Sequence, residues 1–254
     1  MDSSGLHHAV PIGTAWTPGK EPVARQQRAI RTRARIIAAA GECFSESGYR
    51  ATRVADVAER AGAALGTLLF HFPAKTDIAN AVIEQQHRIV MEAATAVEEM
   101  NSPSGIDDII VVSAKLANLI STNPTVRAGL RLSTESVDDL GISSAQPYLD
   151  WTRQCIHLLE KARAAGEVAE GVNLEHFAEV INSAFTGTQF MSSAVSGSQD
   201  LPERLAKLWP ILFSQVVDAD YSTPVVQELL DRHAGLIVAE TPAEAESSSV
   251  IEGA

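Results

Sequence analysis

Apolar residues along this chain recur every three or four positions, which is the spacing that lines one face of an α-helix. No segment shows the sustained alternation of a half-buried strand, and no repeat of fixed period is visible. The longest helices predicted in this way cover residues 75–100, 106–120, 148–162, 177–191 and 201–212. Each has more apolar positions than an isolated surface helix could shield from water. The pattern therefore predicts an all-α fold in which these helices pack as a bundle.

A different pattern covers residues 25–72, where short helical segments are separated by glycine. Gly48 suits the end of the first helix, because glycine adopts a positive φ at little cost. Thr52 is the predicted N-cap of the next helix, and Gly62 breaks the chain after it. Two short helices joined by a glycine-containing turn predict a helix-turn-helix, whose second helix, residues 65–70, enters the major groove of DNA.

The charge distribution supports a DNA-binding role for this part of the chain. Five arginines without an intervening acidic residue occupy its first helix: Arg25, Arg28, Arg31, Arg33 and Arg35. From residue 20 to residue 75 there are ten Lys and Arg against five Asp and Glu, a net charge of +5, and the remainder carries −17 because the whole chain carries −12. A protein that binds a polyanion at one end has this asymmetry. The simpler alternative is that these arginines form a solvated helix face with no DNA-binding role. It explains less well why five cations lie on one helix with no acidic residue between them.

The order of residues from 32 to 77 resembles the tetracycline-repressor family of bacterial transcription regulators. The matching positions are Thr32-Arg33, Ile36-Ile37, Ala39-Ala40, Phe44, Gly48-Tyr49, Thr52, Val57-Ala58, Ala61-Gly62, Gly66-Thr67-Leu68, Phe70-His71-Phe72 and Lys75. The resemblance implies an N-terminal three-helix DNA-binding domain and a C-terminal helical-bundle domain for ligand binding and dimerisation. Together with the basic helix, it nominates as DNA-binding positions Arg25, Arg28, Arg31, Arg33, Thr52, Arg53, Ala64, Leu65, Gly66, Thr67, Leu69, His71 and Lys75. Of these, His71 is expected to connect two helices rather than to act as a catalyst or ligand.

Three positions depart from the family where DNA should be read. Similar proteins often carry a hydroxyl residue, a Lys and a Tyr where this chain has Ala64, Leu65 and Leu69. Alanine and leucine side chains donate no hydrogen bonds, although apolar contacts with thymine methyl groups remain open to them. Two alternatives follow: the operator is unusual, or the affinity for DNA is weak.

Length and composition set the domain organisation. The chain has 254 residues, of which 45% are hydrophobic. We predict a flexible tail at 1–22, a DNA-binding domain at 23–74, a ligand-binding and dimerisation domain at 75–220, and a partly flexible segment at 221–254. No apolar run reaches the ~20 residues of a membrane span, and the N-terminus lacks a signal-peptide pattern. Two cysteines in helical patterns fit reduced thiols in the cytoplasm. No metal site and no cofactor are predicted.

The C-terminal part has a narrower resemblance, to the γ-butyrolactone autoregulator receptors. It rests on residues 126–133, 147–151, 158–159, 165–168, 185–189, 200–201 and 209–210. Proteins of this subfamily are cytoplasmic homodimeric repressors that respond to small diffusible γ-butyrolactones, butenolides or furans. For this chain the resemblance therefore implies operator DNA, a small lactone-like ligand and a second copy as partners. We expect the helices at 177–191 and 201–216 to form the dimer interface.

The same resemblance nominates three ligand-binding residues. Trp151 offers a large apolar plane and one N–H donor. Gln86 can donate or accept a hydrogen bond, and Thr186 has a hydroxyl that can bind a lactone carbonyl. A mostly apolar cavity with a few convergent polar groups suits a small uncharged amphiphile. Periodicity alone favours the plainer interpretation, in which Trp151 packs the core and Gln86 faces solvent.

The sequence thus predicts a ligand-responsive transcriptional repressor and not an enzyme. A Gly-rich phosphate loop, a nucleophile elbow and paired metal ligands are all missing from the sequence. Two alternatives stay open on the same scaffold. One is a pseudo-receptor that has lost operator binding and sequesters its ligand, as the substitutions at Ala64, Leu65 and Leu69 would permit. The other is a broad sensor of antibiotics.

Overall fold

The computed structural model describes residues 21–135 and 145–217, and the side chains of residues 25–134 and 146–217. Within these ranges the fold is all-α, as predicted, and the helices are α1 (Glu21–Ala51), α2 (Val54–Arg60), α3 (Leu65–His71), α4 (Lys75–Glu98), α5 (Gly105–Thr122), α6 (Pro124–Glu135), α7 (Ala145–Ala164), α8 (Leu174–Ser196) and α9 (Leu201–Phe213). The five long predicted helices correspond to α4, α5, α7, α8 and α9. The predicted tails lie almost entirely outside the described residues, although α1 already begins at Glu21.

The first three helices and the start of α4 enclose a small apolar core. Phe44 from α1 and Leu68 from α3 are fully buried in it, and the ring of Phe44 stacks on Tyr49 with 5.9 Å between centroids. Gly48 has the predicted positive φ, of 74°, and interrupts the helical backbone before α1 ends. The positive φ at Gly48 redirects the chain so that α2 and α3 can fold back on α1.

The prediction that Thr52 caps α2 is wrong. The N-cap is Arg53, whose backbone N–H donates to the Asp56 carboxylate at 3.3 Å. The Thr52 hydroxyl instead donates to the carbonyl oxygens of Gly48 at 2.8 Å and Cys43 at 3.2 Å, and the residue is buried. A threonine hydroxyl donates as readily as it accepts, and here it donates to carbonyls of α1.

Helix α6, which the apolar pattern did not single out, joins the two parts of the molecule. It packs against both α1 and α4, and its Ala128 and Leu132 belong to the core of the helix-turn-helix. Two glycines permit this close approach. A Cβ atom on Gly41 of α1 would lie 2.9 Å from Thr125 Cα, and one on Gly129 of α6 would lie 2.4 Å from Gln86 Cβ.

The larger core surrounds α5, which is buried along most of its length. The Ser104 hydroxyl caps α5 by accepting from Asp107 N at 2.9 Å, and the buried Glu167 carboxylate accepts from the backbone of Gly105 and Ile106 at 3.0 and 3.1 Å. Carboxylates are stabilised at a helix N-terminus, where free N–H groups converge. The Glu167 contacts fix the start of α5 against the segment that follows α7.

No single helix of the described residues is long and apolar enough to cross a membrane. Helices α5 and α6 reach that length and composition only as a pair, and the pair is bent by 95°.

Candidate DNA-binding surface and ligand cavity

Helix α3 presents an apolar outer surface next to the basic end of α1. Gly62 has a φ of 58° and turns the chain from α2 toward α3. Leu68 anchors α3 in the core, while the other large apolar side chains of α3 face outward: Leu65 is 46% exposed, Leu69 42% and Phe70 83%. Ala64, Gly66 and Thr67 are exposed too. Thr67 is therefore the one exposed side chain on α3 that can form a hydrogen bond.

The predicted phosphate-binding arginines lie exposed along the first turns of α1. They are Arg25, Arg28, Arg31 and Arg33. The Arg33 guanidinium lies 5.0 Å from the centroid of the Phe72 ring, so this cation sits beside the end of α3. The exposed Arg53 pairs with Asp56 at 2.7 Å. Thr52, which was nominated with these residues, is buried and engaged with α1.

Lys75 and His71 occupy the junction between α3 and α4. The Lys75 ammonium lies 4.4 Å from the centroid of the Tyr49 ring and donates to the Arg50 carbonyl oxygen at 3.5 Å. Partial burial lowers the pKa of Lys75. The half-buried His71 ring meets Phe70 edge-on at 5.5 Å.

The three nominated ligand residues, which come from three helices, line one cavity. Gln86 on α4, Trp151 on α7 and Thr186 on α8 surround it, and Val126, Leu130 and Ser133 of α6 complete one side. Gln86 is buried, contrary to the plainer interpretation that it faces solvent. The cavity volume is about 60 Å³, whereas small-molecule sites usually enclose roughly 300–1,000 Å³. A molecule of that size would fit here only after side chains or helices had moved.

Polar groups converge on the cavity from several directions. The Trp151 Nε1–H is buried and makes no hydrogen bond with any of the described residues. Asn182 donates to Thr152 Oγ1 at 2.9 Å and to the Tyr148 carbonyl oxygen at 3.3 Å. Burial raises the pKa of the Tyr148 phenol, which stays neutral at physiological pH. The described lining contains no Asp, Glu, Lys or Arg.

Sequence reasoning missed Tyr148, Asn182 and His87 as lining residues. The His87 imidazole Nε2 lies 3.0 Å from Asp150 Oδ2 of α7, and burial lowers its pKa. Tyr148 belongs to one of the segments that carry the resemblance but was not nominated, and His87 and Asn182 sit at ordinary helical positions that gave no signal. The i, i+4 spacing of Asn182 and Thr186 on α8 puts them on one face, which could have suggested Asn182 once Thr186 was chosen.

A second apolar surface runs along the outside of α8 and α9, the helices predicted to form a dimer interface. Its exposed members are Val180, Phe190, Met191, Val195 and Ile211. Clusters of exposed apolar side chains mark association sites in other proteins.

Two family models match the chain in succession. The one described as bacterial regulatory proteins, tetR family, matches residues 36–82, and the one described as tetracyclin repressor-like, C-terminal domain, matches residues 103–218. The A-factor receptor protein of Streptomyces griseus is 31% identical over 187 residues, which are 74% of this chain and 64% of that protein. The chain thus spans less than two thirds of the length of this curated relative.

Solved structures agree with these matches. A crystal structure of a γ-butyrolactone receptor, an ArpA-like protein, superposes with a TM-score of 0.67 at 29% identity, covering 81% of this chain and 97% of that one. The tetR family protein CprB from Streptomyces coelicolor, in complex with its biological operator sequence, gives a TM-score of 0.66 at 29% identity with the same coverage.

Proposed function

The chain belongs to the tetR family of bacterial regulatory proteins, and on this premise we propose that it is a ligand-responsive transcriptional repressor. It binds operator DNA as a homodimer and is released by a small γ-butyrolactone- or butenolide-type signal. The observation that carries the proposal is the position of α6, which lines the cavity with Val126 and Leu130 and packs into the helix-turn-helix core with Ala128 and Leu132. A change in the cavity thereby reaches the DNA-binding part directly.

The DNA-binding half of the proposal rests on the exposed arginines and on α3. Arg25, Arg28, Arg31 and Arg33 supply contacts to the phosphate backbone, which position the protein without reading sequence. Helix α3 lies in the major groove, where its exposed side chains reach the bases. Arg53, Thr67 and Lys75 add polar groups around it. Thr52 and His71 support the geometry of this surface from inside.

The ligand-binding half rests on the Trp151 side chain. Its buried N–H has no acceptor among the described residues, and a buried donor without a partner costs stability until one arrives. A lactone carbonyl supplies that acceptor, and the indole plane covers the ring. Thr186 and Gln86 engage the remaining oxygen atoms. An uncharged ligand fits a described lining that has neither acidic nor cationic residues.

Release requires the ligand to bind one state better than the other. Because the cavity is too small for such a ligand as it stands, binding moves α4 and α6 apart or sideways. Helix α4 carries Gln86 in the cavity wall and Lys75 at the edge of the DNA-binding surface. Its displacement changes the separation of the two recognition helices in the dimer, so that they no longer match the operator.

The remaining elements of the proposal follow from this role. The exposed apolar faces of α8 and α9 pair with those of a second copy as a four-helix bundle, and the dimer acts in the cytoplasm, where its operator lies. The family is one of regulators, and we assign the chain no enzymatic activity. The likeness to a protein solved with its operator favours a repressor over a pseudo-receptor that only sequesters ligand.

The direct test is selection of an operator from a random DNA pool, followed by release. We expect the purified full chain to enrich a pseudo-palindromic sequence and to leave it when a γ-butyrolactone or butenolide is added. A sugar lactone without an apolar chain is the control and should leave the complex intact. Enrichment without release by any lactone or butenolide would refute the ligand assignment, and lack of enrichment would refute the repressor.

The arginines on α1 provide a separate prediction. Replacing Arg28, Arg31 or Arg33 singly by alanine should weaken binding to operator and to random DNA alike. Each variant should also reduce the magnitude of the slope of log affinity against log salt by about two units per dimer, because each removes one phosphate contact from each protomer. Arg88, exposed on α4, gives the matched control, since Arg88→Ala should not change the slope. Unchanged slopes in all three α1 variants would contradict the placement of α1 on DNA.

A further inference from the structure

The outward face of α3 is apolar where a DNA reader usually carries hydrogen-bonding groups. Leu65 and Leu69 are 46% and 42% exposed, although the core beneath α3 is already filled by the fully buried Leu68. The free energy of a large aliphatic side chain is higher in water than in contact with apolar atoms, so its burial is favourable. The exposed positions therefore mark a surface that is buried in a complex.

The surroundings of these leucines identify what covers them. The exposed arginines of α1 lie on the same DNA-binding part, and the Arg33 guanidinium beside Phe72 flanks the end of α3. A patch that is apolar at its centre and cationic at its edge complements the major groove, whose walls are phosphates. Within that groove, the one apolar group on the base edges is the C5-methyl of thymine.

We propose that Leu65 and Leu69 read thymine methyl groups, so that operator specificity in this protein comes from apolar contact at these two positions. The inference rests on the proposed repressor function and names the chemistry by which its DNA surface recognises sequence. Gly66 lies on the open side of α3, because a Cβ there would meet nothing within 4 Å. As a glycine it adds no side chain between α3 and the bases.

Helix geometry sets the spacing of the thymines. Residues four apart lie on one face with roughly 5–6 Å between their Cβ atoms, and stacked base pairs repeat every ~3.4 Å. Leu65 and Leu69 therefore span about two base-pair steps. Each half-site should contain two thymines, on either strand, separated by about one intervening base pair.

The experiment removes the methyl groups one at a time. Deoxyuridine replaces single thymines in the selected operator, which deletes the C5-methyl and keeps every hydrogen-bonding atom. Binding of the full chain is measured at constant salt. We expect about fourfold weaker binding at two positions of each half-site, the equivalent of about 0.8 kcal/mol per lost methyl, and no change at the other thymines.

Alanine variants then assign each methyl to its leucine. Leu65→Ala should abolish the deoxyuridine effect at one position and Leu69→Ala at the other. Leu149→Ala, which changes an exposed leucine on α7, should keep both effects. A tightly bound operator that is insensitive to deoxyuridine at every thymine would overturn this inference but leave the repressor standing. Full sensitivity retained in both α3 variants would overturn it as well. If no DNA sequence is bound, the proposed function fails together with it.

Discussion

Replacing Trp151 by alanine is expected to abolish the response to the signal while leaving operator binding intact. The substitution removes an aromatic plane and the buried N–H from the cavity wall. By analogy with other large-to-small changes, the loss amounts to about 2–4 kcal/mol, or roughly a 30- to 1,000-fold increase in Kd. Titrating a γ-butyrolactone against the preformed protein–operator complex and following DNA release measures it.

A conservative variant separates the two contributions of Trp151. Trp151→Phe keeps an aromatic ring and loses the donor, so its ligand Kd should rise only by the value of one hydrogen bond, about 1 kcal/mol or fivefold. Both variants should remain dimeric and bind operator as the parent does. Intact release in Trp151→Ala would disprove the pocket assignment. So would a folded variant that loses DNA affinity alone, since Trp151 would then be maintaining the DNA-binding shape.

Replacing Gly129 by alanine is expected to separate the two helices that transmit the signal. The new methyl would lie 2.4 Å from Gln86 Cβ and 2.7 Å from its Cγ, so α6 and α4 must move apart. Overpacking of this kind typically costs about 1–3 kcal/mol. Because the strain falls on the DNA-binding arrangement, we expect operator affinity to drop about 5- to 150-fold, with little further effect of ligand. Fluorescence anisotropy with labelled operator measures this drop.

A compensating change at the same contact provides the control. Gln86→Gly removes the atoms with which the new methyl collides, so the double variant Gly129→Ala/Gln86→Gly should recover most of the lost operator affinity. Gly66→Ala is a control for stability alone, because Gly66 belongs to the DNA-binding surface. Its Cβ would meet nothing within 4 Å, so this variant should not lower the free energy of unfolding. If Gly129→Ala binds operator normally, or if the double variant is no better than the single one, α6 does not set the DNA-binding geometry through this contact.

The sequence predicted where the long helices lie, but it did not predict which helices contact one another. Apolar periodicity located α4, α5, α7, α8 and α9 because each buries one face along many turns. It passed over α6, whose partners lie on both sides and whose close approach depends on Gly41 and Gly129. A glycine inside a helix is compatible with close packing of another element at that position, but the sequence does not identify which element packs there.

The candidate site followed from resemblance rather than from chemistry visible in the chain. Gln86, Trp151 and Thr186 are far apart in sequence, and only the matching motifs suggested that they meet. Thr52 illustrates a different limit. Its residue type suits an N-cap, but the same hydroxyl can also donate. In the fold it donates to the Gly48 and Cys43 carbonyl oxygens of α1. The sequence pattern does not show that these carbonyls lie beside it.

Helix α6 belongs both to the DNA-binding core and to the cavity wall, and this limits how the two halves of the chain can be exchanged in engineered regulators. Ala128 and Leu132 fill the core of the DNA-binding part although they come from the sensor half of the chain. A fragment that stops after α4 would expose that core to water and should not be autonomous. Chimaeric regulators that graft a new DNA-binding half onto this sensor must therefore transplant the inner face of α6 with it, so the functional boundary between the halves runs through the middle of a helix.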